Sequence, residues 1–119
     1  MKIKKIIIER VSSQYCDETP KASINGNIVY IPLFVTYDSN NGFYYYSDYS
    51  IYKNKYNYDD LVDEFIKLIY SDKQMFAIIN NYLLDPSNET TLNEFNEMQA
   101  VRKEAKDLAK DILSRYPLE

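Results

Sequence analysis

Near residue 58 the spacing of apolar residues changes from that of strands to that of helices, and this change decides which class of fold is open to the chain. Before it, Asn27-Ile28-Val29-Tyr30-Ile31-Pro32-Leu33-Phe34-Val35-Thr36-Tyr37 is β-branched and aromatic almost throughout. Phe43 to Lys53 resumes that composition after Asp38-Ser39-Asn40-Asn41-Gly42, whose residues tolerate positive φ. The two runs predict a β-hairpin. Pro32 has no N–H to give to a sheet, so its strand should lie at an edge there or carry a bulge. Residues 3–11, rich in Ile and Val, predict a first strand. The polar stretch Ser12 to Gly26, with Pro20 and an Asn25-Gly26 turn signal, predicts a loop.

After residue 58, Leu61, Val62, Phe65, Ile66, Leu68 and Ile69 recur at three- and four-residue steps, with Asp59 or Asp60 placed to cap a helix. Ser71-Asp72-Lys73-Gln74 has capping-box spacing and predicts a break followed by a second helix through Leu83, ended by Asp85-Pro86. Thr91-Leu92-Asn93-Glu94 repeats that spacing before a long stripe, Phe95, Met98, Val101, Ala105, Leu108 and Ile112, closed by Tyr116-Pro117. The expected fold is therefore α+β: a three-stranded antiparallel β-meander followed by three helices packed on one face. It should form one domain over residues 1–119, with a β-rich half at 1–57 and a helical half at 58–117. The expected core is Val29, Ile31, Leu33, Val35, Tyr45, Phe65, Ile69, Ile79, Phe95, Val101, Leu108 and Ile112.

Composition excludes more functions than it suggests. The apolar fraction of 45% is enough to offset chain entropy, so the chain should fold rather than stay disordered. Its apolar runs fall far short of the roughly 20 residues that span a bilayer, and Glu9 and Arg10 interrupt the N-terminal run before a secretory core is reached. The lone Cys16 cannot close an internal disulfide, which fits a reducing, cytoplasmic setting. A formal net charge of −4 argues against direct nucleic-acid binding, because Lys and Arg supply the counterion-release energy. Lys2, Lys4 and Lys5 form the one small basic cluster, read as a solvated strand end.

The chain has no histidine, which removes the commonest general base and the usual zinc and Ser-His or Cys-His chemistry. With only Gly26 and Gly42, no phosphate-cradling glycine loop is possible, and no cofactor is expected. Cys16, beside Asp17 and Glu18, reads as an inert thiol. The cluster Asp59-Asp60-x-x-Asp63-Glu64 could hold Mg²⁺ or Ca²⁺, yet helix capping and the helix dipole already account for acidic residues in a first turn. No metal ligand is therefore assigned. Asp38 to Gly42 fails as a calcium loop because its glycine comes one position early and Tyr49 stands where the closing Glu belongs.

The most distinctive feature is the crowd Tyr44, Tyr45, Tyr46, Tyr49, Tyr52, Tyr56 and Tyr58. Strand alternation puts Tyr44, Tyr46, Asp48, Ser50 and Tyr52 on one face and Phe43, Tyr45, Ser47, Tyr49 and Ile51, the more core-like set, on the other. Tyr mixed with Asp and Ser suits an adaptable recognition surface, so Tyr44, Tyr46, Asp48 and Tyr52 are the candidate partner-binding residues. The competing reading is that these rings only cover a sheet face. The long last helix could bring two copies together through its apolar stripe, although a core-facing stripe is the ordinary case.

In size, order of elements, acidity and its Tyr-, Asn-, Ile- and Lys-rich usage, the chain resembles small accessory proteins of bacteriophages and other mobile elements. That resemblance implies a protein that binds another macromolecule, such as a host defence component or a virion part. The leading expectation is a non-enzymatic protein-binding module with another protein as partner. The alternatives are an acidic, immunity-type inhibitor that presents Asp59 to Glu64 to a basic nuclease cleft, and a carboxylate-dependent metal enzyme.

Overall fold

A helix, not a strand, opens the chain. The computed structural model describes residues 1–118, and in it Lys2–Arg10 forms α1. Ile3 and Ile7 share one helical face and are buried, while Lys2, Lys4, Lys5 and Arg10 stay exposed. The strand propensity of the Ile run yields to this four-residue spacing and to a tertiary cap. Met1 offers α1 no side-chain cap, and the Glu104 carboxylate replaces it by accepting from the N–H groups of Ile3 at 3.0 Å and Lys4 at 3.1 Å. Lys2 pairs with Glu97 and the Lys4 ammonium sits 5.4 Å from the centre of the Phe34 ring, so the basic cluster ties α1 to its neighbours.

The sheet has four strands rather than three. The segment expected to be a loop contributes β1 (Ser13–Cys16) and β2 (Ser23–Asn25), which flank the hairpin of β3 (Ile28–Asp38) and β4 (Phe43–Tyr52) in the order β1-β4-β3-β2. All neighbours are antiparallel. Both new strands are short and polar because they form the sheet's edges, where one side of the backbone and most side chains meet water. Gly26, at φ 63°, makes the tight turn from β2 into β3, and Gly42, at φ 77°, closes the turn between β3 and β4.

Pro32 faces the open side of β3, beyond the last β2 pair at Ser23 and Tyr30. Its missing N–H therefore costs no ladder bond, and its carbonyl accepts from the Tyr116 hydroxyl at 3.0 Å. Just beyond, Phe34 adopts φ 55°, and the register with β4 shifts between Leu33 and Thr36. This is a β-bulge with a bulky residue in the left-handed region, a conformation that costs about 1–2 kcal/mol and is held here by the packing of Phe34 against the core. The extra residue reverses the alternation. Val35, expected in the core, is instead exposed, and Thr36, also exposed, stands opposite Tyr45.

A 3-10 turn (Lys53–Lys55) leads to α2 (Tyr58–Lys67), α3 (Asp72–Leu84) and α4 (Glu89–Arg115), so there are four α-helices among the described residues rather than three. Asn57, not Asp59 or Asp60, caps α2 by accepting from the Asp60 N–H at 2.9 Å. Ser71 and Gln74 form the expected capping box at α3. Helix α4 starts three residues before the Thr91 box, at the cap Asn88, which accepts from the N–H groups of Thr90 and Thr91. One core cluster joins Ile3 and Ile7 of α1, Val29, Ile31 and Leu33 of β3, Tyr49 and Ile51 of β4, Leu61, Phe65 and Ile66 of α2, and the α4 stripe Val101, Ala105, Ala109 and Ile112. Of the remaining expected core residues, Tyr45, Ile69, Ile79, Phe95 and Leu108 are half-buried. The α4 stripe offered as a dimer contact is thus covered within the chain.

Two tyrosines clamp the end of α4. Tyr56 donates to the Tyr116 carbonyl at 2.6 Å while Tyr116 donates to Pro32, linking the turn after β4, the end of α4 and the edge of β3. Burial pushes the Tyr56 hydroxyl up to about 12, so this clamp stays protonated through the physiological range. Helix α3 gives the core cluster no fully buried residue and meets it only through Met75; it packs mainly on the first half of α4, with the Tyr82 and Phe95 rings stacked at 4.3 Å. The radius of gyration is 17.0 Å, against about 13–14 Å for a spherical chain of this length. The molecule extends over 53 × 35 × 22 Å, as expected when a helical arm continues past the core.

Candidate functional site

Hydrogen-bond register settles which way each β4 side chain points. Ser47, Tyr49 and Ile51 are buried and face the helices. Tyr44, Tyr46, Asp48, Ser50 and Tyr52 share the opposite parity, as alternation requires. Across from them on β3 stand Tyr37 opposite Tyr44, the bulge opposite Tyr46, Pro32 opposite Asp48, Tyr30 opposite Ser50 and Ile28 opposite Tyr52. Gln14 and Cys16 of β1 extend the same face beside Tyr46 and Tyr44.

The four candidate residues do not form one patch. Tyr44, Tyr46 and Asp48 follow one another along about 13 Å of strand, but Tyr52 lies a further 13 Å or so from Asp48, at the far end. Tyr52 is 56% exposed and borders a separate open hollow with Asn27, Lys53, Asn54 and Lys55. At the turn end, the Tyr37 and Tyr44 rings meet with centres 4.7 Å apart. Tyr37 is 56% exposed and belongs with Tyr44 and Tyr46, although reading β4 in isolation gave no reason to include it. The signal was the cross-strand pairing next to the turn, where Asp38 falls opposite Phe43 and Tyr37 opposite Tyr44 before the bulge is reached.

On the other face at this same end, Tyr15 of β1 packs edge-on against Phe43 at 5.5 Å and lies 6.2 Å from Tyr45. Asn41 of the turn donates to the Tyr45 hydroxyl at 2.7 Å. Aromatic rings therefore line both faces of the hairpin tip. Tyr49, by contrast, is a structural tyrosine: it is buried against Phe65 and donates to Glu64 at 3.2 Å. Burial, and then the Glu64 carboxylate, hold its hydroxyl well above the usual phenol range.

Asp48 is the one charged side chain of the outward stripe. It is half-buried, and burial raises its carboxyl above the usual carboxylate range. None of the ion pairs among the described residues includes it. Tyr46 beside it is also raised, first by burial and then by Cys16 and Asp48. No protein-family model, curated protein or solved structure matches the chain.

The acidic run on α2 is divided among separate structural tasks. Asp60 accepts from the Asn57 side chain at 2.7 Å, Asp63 pairs with Lys67 at 3.0 Å, and Glu64 receives the Tyr49 hydroxyl. Among the described residues no three His, Cys, Asp or Glu side chains converge as metal ligands would. Cys16 donates its thiol to the Glu18 carbonyl at 2.9 Å. No described helix is long and apolar enough to cross a membrane.

Proposed function

We propose that the chain is a non-enzymatic protein-binding module whose docking surface is the outward hairpin stripe Tyr37, Tyr44, Tyr46 and Asp48. The observation that carries this reading is Asp48: a half-buried carboxylate without a cation of its own, at the end of a row of tyrosines. Tyrosines supply contact area at low entropic cost, and a carboxylate already stripped of part of its water favours a cationic side chain. A partner that inserts a Lys or Arg between Tyr46 and Asp48 satisfies both, through a charge pair and a cation–π contact. Tyr52, on its separate hollow, is left out of this surface. The size, acidity and residue usage of the chain suit an accessory protein of a bacteriophage or mobile element acting in the cytoplasm.

The test uses the partner recovered from native cells and titrates it against Tyr37→Ala, Tyr44→Ala and Asp48→Asn. One or two of these variants should lose about 1–4 kcal/mol of binding, since interface energy concentrates in a few anchors. Melting temperatures should hardly move for Tyr37→Ala and Asp48→Asn. The pH dependence has a definite sign. Because the folded-state pKa of Asp48 is raised, its contribution to stability is largest when it is protonated and fades as pH rises through that value. Partner binding needs the carboxylate, so it should strengthen over the same rise, and Asp48→Asn should flatten that profile. Undiminished binding by all three variants, with loss in Asp59→Asn or Asp63→Asn, would move the docking surface to α2.

A further inference from the structure

Helix α3 turns one face to α4 and leaves large apolar side chains exposed outside that contact. Met75, Ile78, Ile79 and Tyr82 are half-buried, at the three- and four-residue spacing of a face turned to α4. Phe76, at the rim of a shallow hollow shared with Ile66 of α2 and Met98 of α4, is 66% exposed, and Leu83 and Leu84 are 68% and 85% exposed. No residue of α3 is fully buried, and from Gln74 to Leu84 the helix carries no charge. Large apolar side chains left exposed together on one helix mark an interaction surface.

We propose that a second copy of this chain covers α3, the two helices packing antiparallel about a twofold axis near Asn80. At 3.6 residues per turn, Lys73, Phe76, Asn80 and Leu83 fall within about 80° of one another and form a single stripe. An antiparallel copy sets Phe76 against Leu83 and Leu84 of the other chain, the self-complementary arrangement a twofold interface requires. Charge points to the same partner. In a chain of net charge −4, helices that carry no charge from Gln74 to Leu84 meet along that stretch without like-charge repulsion. Lys73 pairs with no carboxylate among the described residues, and the last turn of α3 has no basic residue of its own. The antiparallel arrangement brings each Lys73 to that negative helix end of the other copy, beside Asp85.

Area sets the strength. A 13-residue helix is about 20 Å long, and its outer half offers a few hundred Å², below the roughly 800 Å² per partner of a standard interface. The dimer is therefore reversible and depends on concentration.

Sedimentation equilibrium of the full chain over a wide concentration range tests this directly. The expected result is a monomer–dimer equilibrium that Leu83→Glu and Phe76→Glu each weaken roughly tenfold or more, without loss of helix content, because both side chains are exposed. Lys73→Glu should weaken it several-fold, and adding Asp85→Lys to that variant should restore it. A wild-type chain that stays monomeric throughout, or a dimer indifferent to Leu83→Glu, overturns the proposal. So does a monomer that cosediments with phosphatidylcholine vesicles through Phe76 and Leu83, which would assign the stripe to lipid.

Discussion

Alanine at Phe65 should lower folding stability by about 3–5 kcal/mol, while alanine at Phe95 should cost roughly 1–2 kcal/mol. Phe65 is completely buried in the core cluster, with the Tyr49 ring 5.4 Å away, and truncating it leaves a cavity between sheet and helices. Phe95 is half-buried on the arm, where it stacks on Tyr82 and can relax toward solvent. The larger cost approaches the total stability of a domain this size, so Phe65→Ala should be mostly unfolded at modest urea concentrations. Urea midpoints for both variants measure the difference. Equal losses would place the arm inside the main core and contradict the architecture.

The second large effect lies in α1. Ile7→Ala should cost about 2–4 kcal/mol, and Ile8→Ala should stay within about 0.5 kcal/mol of wild type. Ile7 is 1% exposed against the core and Ile8 is 52% exposed. A helix makes these neighbours unequal while keeping Ile3 and Ile7 together, and Glu104 holds its first turn. Thermal melts of both variants, with amide exchange at Ile7, check the point. Comparable losses at Ile7 and Ile8 would contradict the placement of α1.

The central hairpin and the last three helices were legible in the sequence because period and punctuation agreed there: alternation around Asp38 to Gly42, and a capping box at Ser71. The first helix was not, since the same isoleucines serve a strand or a helix and the deciding cap, Glu104, lies about a hundred residues away. Strands β1 and β2 escaped notice because short polar segments become strands only when a hairpin offers them an edge. Val35 was misassigned by a bulge that depends on Phe34 taking a conformation ordinarily left to glycine. For the site, alternation placed Tyr44, Tyr46 and Asp48 on the outward face, while Tyr37 joins the row only when β3 and β4 are read together across the turn and the hollow beside Tyr52 depends on the 3-10 turn that follows β4.

The most direct test of the binding stripe is a photo-crosslinking phenylalanine analogue placed at Tyr44, with a control at Asp59 on α2, irradiated in native cells. Position 44 keeps an aromatic ring on the outward face, and Asp59 is an exposed site away from it. The account predicts one covalent adduct from position 44, competed away by excess wild-type chain, reduced by Asp48→Asn and absent from position 59. An adduct from position 59 alone, or one from position 44 that neither competitor nor Asp48→Asn diminishes, would contradict it.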